Sequence, residues 1–112
     1  MINGKTEIYG IIGDPISHVA APELINKVFQ AKTENKVLFP FHVQQSALES
    51  FINGLRHVKN FKGAVITMPL KTNIVKLLAS KSKEVLQVNA CNVIKRTDQG
   101  ELIGTMLDEC LL

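Results

Sequence analysis

Lys71 and Asp108 are the two side chains whose types and settings allow proton chemistry in this sequence. A lysine beside a carboxylate forms a pair that titrates together, so the lysine can deliver a proton while the carboxylate orients it. Lys71 ends the segment Gly63-Ala-Val-Ile-Thr-Met-Pro-Leu-Lys71. Its apolar start reads as a buried strand, which Pro69 breaks before opening a helix. That expected helix puts Lys71 in its first turn, where the positive end of the dipole disfavours the ammonium form. A plain solvated lysine near a helix start is the other reading of the position. Asp108 closes a short apolar strand, and it equally suits an N-cap for a helix entered at Glu109.

The elements that must position this pair follow from apolar spacing. Glu7–Ile12 is a short apolar run closed by Gly13-Asp-Pro15, hence a strand and a loop. Pro22 suits the first position of a helix, and Leu24, Ile25, Val28 and Phe29 recur on one helical face. Val37–Val43 is a second strand, with Pro40 placing it at an edge or a bulge. An amphipathic helix follows, with Ser46 as expected cap, Glu49 three residues on, and Leu48, Phe51, Ile52 and Leu55 on one side. After the strand at Gly63–Thr67, the helix expected from Pro69 turns Leu70, Ile74, Leu77 and Leu78 inward, and Ser82–Val88 is a short fourth helix. A hairpin ends the series: Asn92–Arg96, a turn at Thr97–Gly100, then Leu102–Gly104. Early alternation implies parallel strands with crossover helices, and the hairpin adds an antiparallel pair. The expected fold is one α/β domain over residues 1–112, a three-layer sandwich with a mixed, mostly parallel sheet flanked by helices.

The totals exclude several function classes. The 112 residues suffice for one modest core, and with aromatics at 5% that core is aliphatic. No apolar run approaches the roughly 20 residues that cross a bilayer, and Met1–Thr6 has no apolar stretch of signal-peptide type, so a cytoplasmic setting is expected. Cys91 and Cys110 are too few and too distant for a disulfide framework, and His18, His42 and His57 lack metal-ligand spacing with them. The net charge of +3 is spread along the chain without interleaved aromatics, so no nucleic-acid surface is expected, although it would help attract an anionic substrate.

Taken in order, Tyr9-Gly-Ile-Ile-Gly-Asp-Pro-Ile-Ser-His18, Pro22, Gly63–Lys71, Asn89-Ala-Cys-Asn-Val-Ile94, Gly100–Gly104 and Asp108 resemble the substrate-binding domain of shikimate dehydrogenase. The resemblance implies a two-domain oxidoreductase that reduces 3-dehydroshikimate to shikimate with NADP as cofactor. It implies that Lys71 and Asp108 are the catalytic pair and that Thr67 and Asn92 contact substrate hydroxyls. Asn92 has a second reading, a bond to its own backbone before the strand.

Several positions depart from that pattern. Val19 and Ala21 stand where two serines usually hold the substrate carboxylate, Val65 replaces a usual asparagine, Thr105-Met-Leu107 a usual polar segment, and Glu109 a usual glycine. Losing two hydroxyl donors would cost roughly 1.5–3 kcal/mol each. A related hydroxy-carboxylate, or a grip supplied by Ser17 or His18, is therefore expected. No Gly-x-Gly-x-x-Gly follows any strand, so the dinucleotide-binding half is expected to lie outside this chain, which alone should bind no cofactor and transfer no hydride. The alternatives are a stand-alone, non-catalytic small-molecule binding module or truncated remnant, and an interaction protein that forms a homodimer through exposed residues such as Leu111 and Leu112.

Overall fold

Apolar strands and amphipathic helices alternate through the first half of the chain, and they build the frame of the fold. The computed structural model describes residues 2–107. Asp108, Glu109, Leu111 and Leu112, which carry sequence expectations, lie outside the described residues. Strand β1 (Glu7–Gly13) leads to helix α1 (Ala21–Ala31), strand β2 (Lys36–His42), helix α2 (Leu48–Leu55) and strand β3 (Phe61–Ile66). Then come β4 (Ser80–Lys81), α3 (Lys83–Val88), β5 (Val93–Arg96) and β6 (Leu102–Thr105). The described strands form one sheet in the order β2-β1-β3-β5-β6-β4. β2, β1 and β3 are parallel, β5 is antiparallel to both β3 and β6, and β4 pairs parallel with β6. The mixed α/β sheet is the expected one.

The chain steps from β1 to one side and returns past it to β3. Right-handed crossovers then put α1 and α2 on opposite faces. Leu48, Ile52 and Leu55 of α2 pack with Phe61, Ile66, Leu70, Ile74, Leu78, Val85 and Ile94 in the principal core. Among the described residues the other face carries α1, held against the edge strand β2 by Asn26, whose side chain accepts from Leu38 N (2.8 Å) and donates to Leu38 O (2.9 Å). The remainder of that face is a groove of about 590 Å³ lined by Tyr9, Phe29, Leu38, Val65 and Val93 among others. Leu24, Ile25 and Val28 therefore mark a real amphipathic helix, but they stay exposed because nothing among the described residues covers them.

Two local expectations are corrected. No α-helix starts at Pro69: residues 70–78 pass through turns into a 3₁₀ turn at Val75–Leu77. Thr72, Asn73 and Val75 are weak helix formers, and the bonds Val75 N→Thr72 O, Leu77 N→Ile74 O and Leu78 N→Val75 O close three-residue turns instead. Leu70, Ile74 and Leu78 still point inward as expected. Ser46 does not cap α2; it lies within a 3₁₀ turn, Gln45–Ala47, and accepts from Gln44 Nε2. The two-residue strand β4 is additional. Ser82 does cap α3, accepting from Val85 N at 3.2 Å, and Asn89 ends that helix in the left-handed region (φ 52°), which asparagine tolerates.

Candidate functional site

The site is assembled at the carboxyl ends of β1 and β3, where the order of the sheet reverses. Open α/β sheets leave a crevice at such a reversal, because the crossovers leave in opposite directions. Thr67 follows β3, and its amide donates to Ile12 O at 2.8 Å, so its hydroxyl stands over the end of β1. Gly13 makes that possible, since a Cβ there would collide with Thr67 Oγ1. Gly13→Ala is expected to destabilise the domain by about 1–3 kcal/mol, the range for overpacking. It should also displace Thr67, read as lost exchange protection of the Thr67 amide. A melt and an exchange profile matching the wild type would contradict this.

Lys71 sits four residues beyond Thr67, half-buried, in the turn segment. Because no helix opens there, the dipole argument for its setting falls away. Its position is fixed by hydrogen bonds instead: Leu70 N donates to Thr67 O (3.0 Å), and Lys71 O accepts from Cys91 N (2.9 Å). Gln45 Nε2 donates to Asn73 Oδ1 (3.0 Å), tying the same segment to the start of α2.

Asn92 is buried (0% exposed), and its backbone and side chain are both engaged. Its carbonyl accepts from Ile66 N (2.8 Å) and its amide donates to Thr105 O (3.3 Å). Its side chain accepts from Leu107 N and donates to Leu107 O, each at 2.8 Å. The alternative sequence reading of a backbone bond is met in kind, but the partner lies across the hairpin and not in the local turn. Leu107 immediately precedes Asp108 in the chain.

Cys91 is buried beside Asn92 and donates to Val93 O (3.1 Å) and Thr105 O (3.3 Å). Burial pushes its thiol pKa up, the carbonyl contacts only partly opposing that. Above the thiol's ordinary value the unfolded chain loses this proton while the folded chain keeps it, so stability falls as pH rises. Cys91→Ser is expected to remove that part of the alkaline decline, and thermal melts of both proteins across the alkaline range check it.

One feature at the same strand ends carries no signal in sequence spacing. His42 Nε2 and Asp14 Oδ1 lie 2.6 Å apart, joining the end of β2 to the loop after β1, and both are substantially exposed. The departures also find their places. Val19 and Ala21 are half-buried at the start of α1, Ser17 and His18 are exposed before them, and Val65 lines the groove on the α1 face. The two cavities of about 590 Å³ lie elsewhere, and neither is lined by Thr67, Lys71 or Asn92. No group of three His, Cys, Asp or Glu able to hold a metal occurs among the described residues. No helix among them is long and apolar enough to cross a membrane.

Residues 11–94 match the family model described as the shikimate dehydrogenase substrate binding domain. The chain belongs to that family. A relative, the NADP(+) shikimate dehydrogenase of Pyrococcus furiosus, is 34% identical over 108 residues, covering 96% of this chain and 39% of the relative. Among solved structures, shikimate 5-dehydrogenase from Listeria monocytogenes, in complex with shikimate and NAD, superposes with a TM-score of 0.86 at 35% identity over 93% of this chain and 35% of that one. Shikimate dehydrogenase from Aquifex aeolicus gives a TM-score of 0.86 at 30% identity, over 94% of this chain and 39% of that one. The chain spans about two-fifths of the length of these relatives. It matches their substrate-binding domain in fold and family.

Proposed function

We propose that this domain supplies the substrate-binding half of a cytoplasmic, NADP-dependent oxidoreductase of the shikimate dehydrogenase type. Its substrate is 3-dehydroshikimate and shikimate, or a related hydroxy-carboxylate. The observation that carries the reading is the placement of the Thr67–Lys71 segment at the reversal point of the sheet, joined through Cys91 to Asn92, which holds Leu107. The relatives support the substrate class, being shikimate dehydrogenases, one of them holding shikimate.

In this reading Lys71 gives a proton to the oxygen that becomes the substrate hydroxyl and takes it back in the reverse direction. Asp108 orients the ammonium. The Thr67 hydroxyl both donates and accepts, so it grips a hydroxyl without adding charge. Asn92 keeps one N–H and one oxygen lone pair beyond its bonds to Leu107, the groups through which it would contact a substrate hydroxyl once the site admits one. Val19 and Ala21 offer no hydroxyl to a carboxylate, and the exposed Ser17 and His18 take over that contact.

The described residues do not fit NADP itself. Gly10 packs against the Phe41 ring and Gly13 against Thr67, so neither forms an open cradle for a pyrophosphate, and α1 begins only at Ala21. The cofactor is assigned to the remainder of the complete enzyme, and only proton handling and substrate contact are assigned to this domain.

Titration of the chain with shikimate, followed residue by residue by NMR, tests the proposal. Shift changes should centre on Thr67, Lys71 and Ser17–His18. Millimolar shikimate leaving all of these unmoved would overturn it.

A further inference from the structure

We infer that the uncovered half of the α1 face is a docking surface for a second copy of this chain, each copy seating its α1 in the groove of the other. The Thr67–Lys71 segment takes no part in it, so the inference stands apart from the functional reading above. Helix α1 lies over β2 and β1, fixed by the Asn26 bonds to Leu38 and by the Phe29 ring, whose centre is 6.2 Å from that of Tyr9. Strand register carries the same face across β3, β5 and β6 in two rows. One row runs Tyr9, Gly63, Lys95, Ile103, and the next runs Ile11, Val65, Val93, Thr105. Gly63, Val65 and Val93 line the groove of about 590 Å³ beside α1. Parallel strands are ordinarily covered on both faces. Three strands spaced about 4.8 Å apart leave a strip about 10–14 Å wide, which takes one helix of about 10 Å diameter.

The helix that fits is α1 itself. Residues two positions apart on a helix lie on nearly opposite sides, so Leu24 and Val28 stand away from Asn26 and β2, on the flank that borders the groove. They are 60% and 45% exposed. A helix with an apolar outer flank and a groove one helix wide thus lie side by side on one face. A two-fold axis running along that flank turns the second copy over and lays its α1 in the groove, parallel to the first. Such an interface is isologous and closes at two copies. Leu24 then sits over the partner's Gly63, Val65 and Val93, and Val28 meets the partner's α1. Gly63 has no side chain, which leaves a hollow between Tyr9 and Lys95 for a leucine to enter. Charge favours the same arrangement. Lys62, Lys95 and Arg96 outweigh Glu7 and Asp98 around the groove, and Glu23 is an exposed carboxylate on α1. The eleven residues of α1 span about 16 Å, and with a strip of that width they bury on the order of 500 Å² per copy. The total of about 1,000 Å² reaches the size of a specific, reversible interface.

Sedimentation equilibrium of the whole chain, from about 10 μM to about 1 mM, tests the pairing. The mass should rise reversibly from 12.4 kDa toward twice that value. Leu24→Glu should raise the dissociation constant about 100-fold or more, because the interface would bury an unpaired carboxylate. The site is exposed in the single copy, so circular dichroism of the dilute variant should match the wild type. The control is Leu86→Glu, an exposed leucine of α3, the helix that packs on the opposite face through Val85. It should leave association unchanged. In a mixture of isotope-labelled and unlabelled wild-type chains, nuclear Overhauser contacts between copies should join the Leu24 methyls to those of Val65 and Val93. A chain that stays at 12.4 kDa throughout overturns the inference and leaves the groove to a segment of a longer protein or to a different partner. A dimer that Leu24→Glu leaves intact, or that Leu86→Glu dissolves equally, also overturns it and moves the interface elsewhere. Where Leu24→Glu does not fold, the wild-type contacts decide. Leu24 methyls touching Val65 and Val93 of the other copy uphold the pairing, and a dimer without those contacts overturns it.

Discussion

Phe61→Ala is expected to lower the melting temperature of this domain by about 12 °C or more. Phe61 is fully buried, begins the central strand β3, and lies in the principal core with the apolar face of α2. Removing a buried phenylalanine ring forfeits its transfer free energy and leaves a cavity, together about 3–5 kcal/mol. Neighbours on this side are Leu, Ile and Val side chains in a close-packed cluster, which relax only partly into such a space. Domains of this size hold about 5–15 kcal/mol in total, and each kcal/mol moves the midpoint by about 4–8 °C. A drop under about 4 °C would mean that β3 is not the centre of the core.

Lys71→Met should weaken shikimate binding by about tenfold to a hundredfold. The substitution keeps an unbranched side chain of similar length and removes the ammonium. A hydrogen bond to a charged group contributes about 1.5–3 kcal/mol, and 1.4 kcal/mol is tenfold in affinity. The control is Lys76→Met, an exposed lysine of the same segment that keeps the net charge change equal. General attraction of an anion by basic charge would weaken both variants alike, whereas a specific contact weakens only the first. Calorimetric or NMR titration separates these, and equal affinities for Lys71→Met and the wild type would remove Lys71 from the site.

The parts of the fold that were legible in the sequence are those set by local chemistry. The Gly13-Asp-Pro15 stop, Pro22 at the start of α1, Pro40 on an edge strand and the Thr97–Gly100 turn each impose a backbone geometry on the spot. The segment after Pro69 departs from its helical spacing for a physical reason. Leu70, Ile74, Leu77 and Leu78 repeat at helical spacing, and a chain of 3₁₀ turns around one α-type bond, Ile74 N→Leu70 O, buries the same residues. Apolar periodicity records which side chains go inside, not which hydrogen-bond ring closes. Thr67 and Lys71 share one short segment, so the chain itself keeps them within a few residues of each other. The engagement of Asn92 with Leu107 was not legible, since it spans a hairpin and fifteen positions. Gly13 was seen as a turn signal, while its second duty, leaving room for the Thr67 hydroxyl, depends on contact between two strands.

The Asn26 bonds to Leu38 have a consequence for how this protein can associate. Leu38 turns its N–H and C=O outward from the edge of the sheet, and Pro40, two residues on, has no N–H to offer there. A foreign strand approaching β2 meets a helix side chain already in its seat and then a ring with nothing to donate. At the far side β4 is only two residues long. Growth of the sheet by strand addition is therefore discouraged at both margins, and a domain with an apolar groove on one face escapes the ribbon-like polymerisation that an open edge would invite.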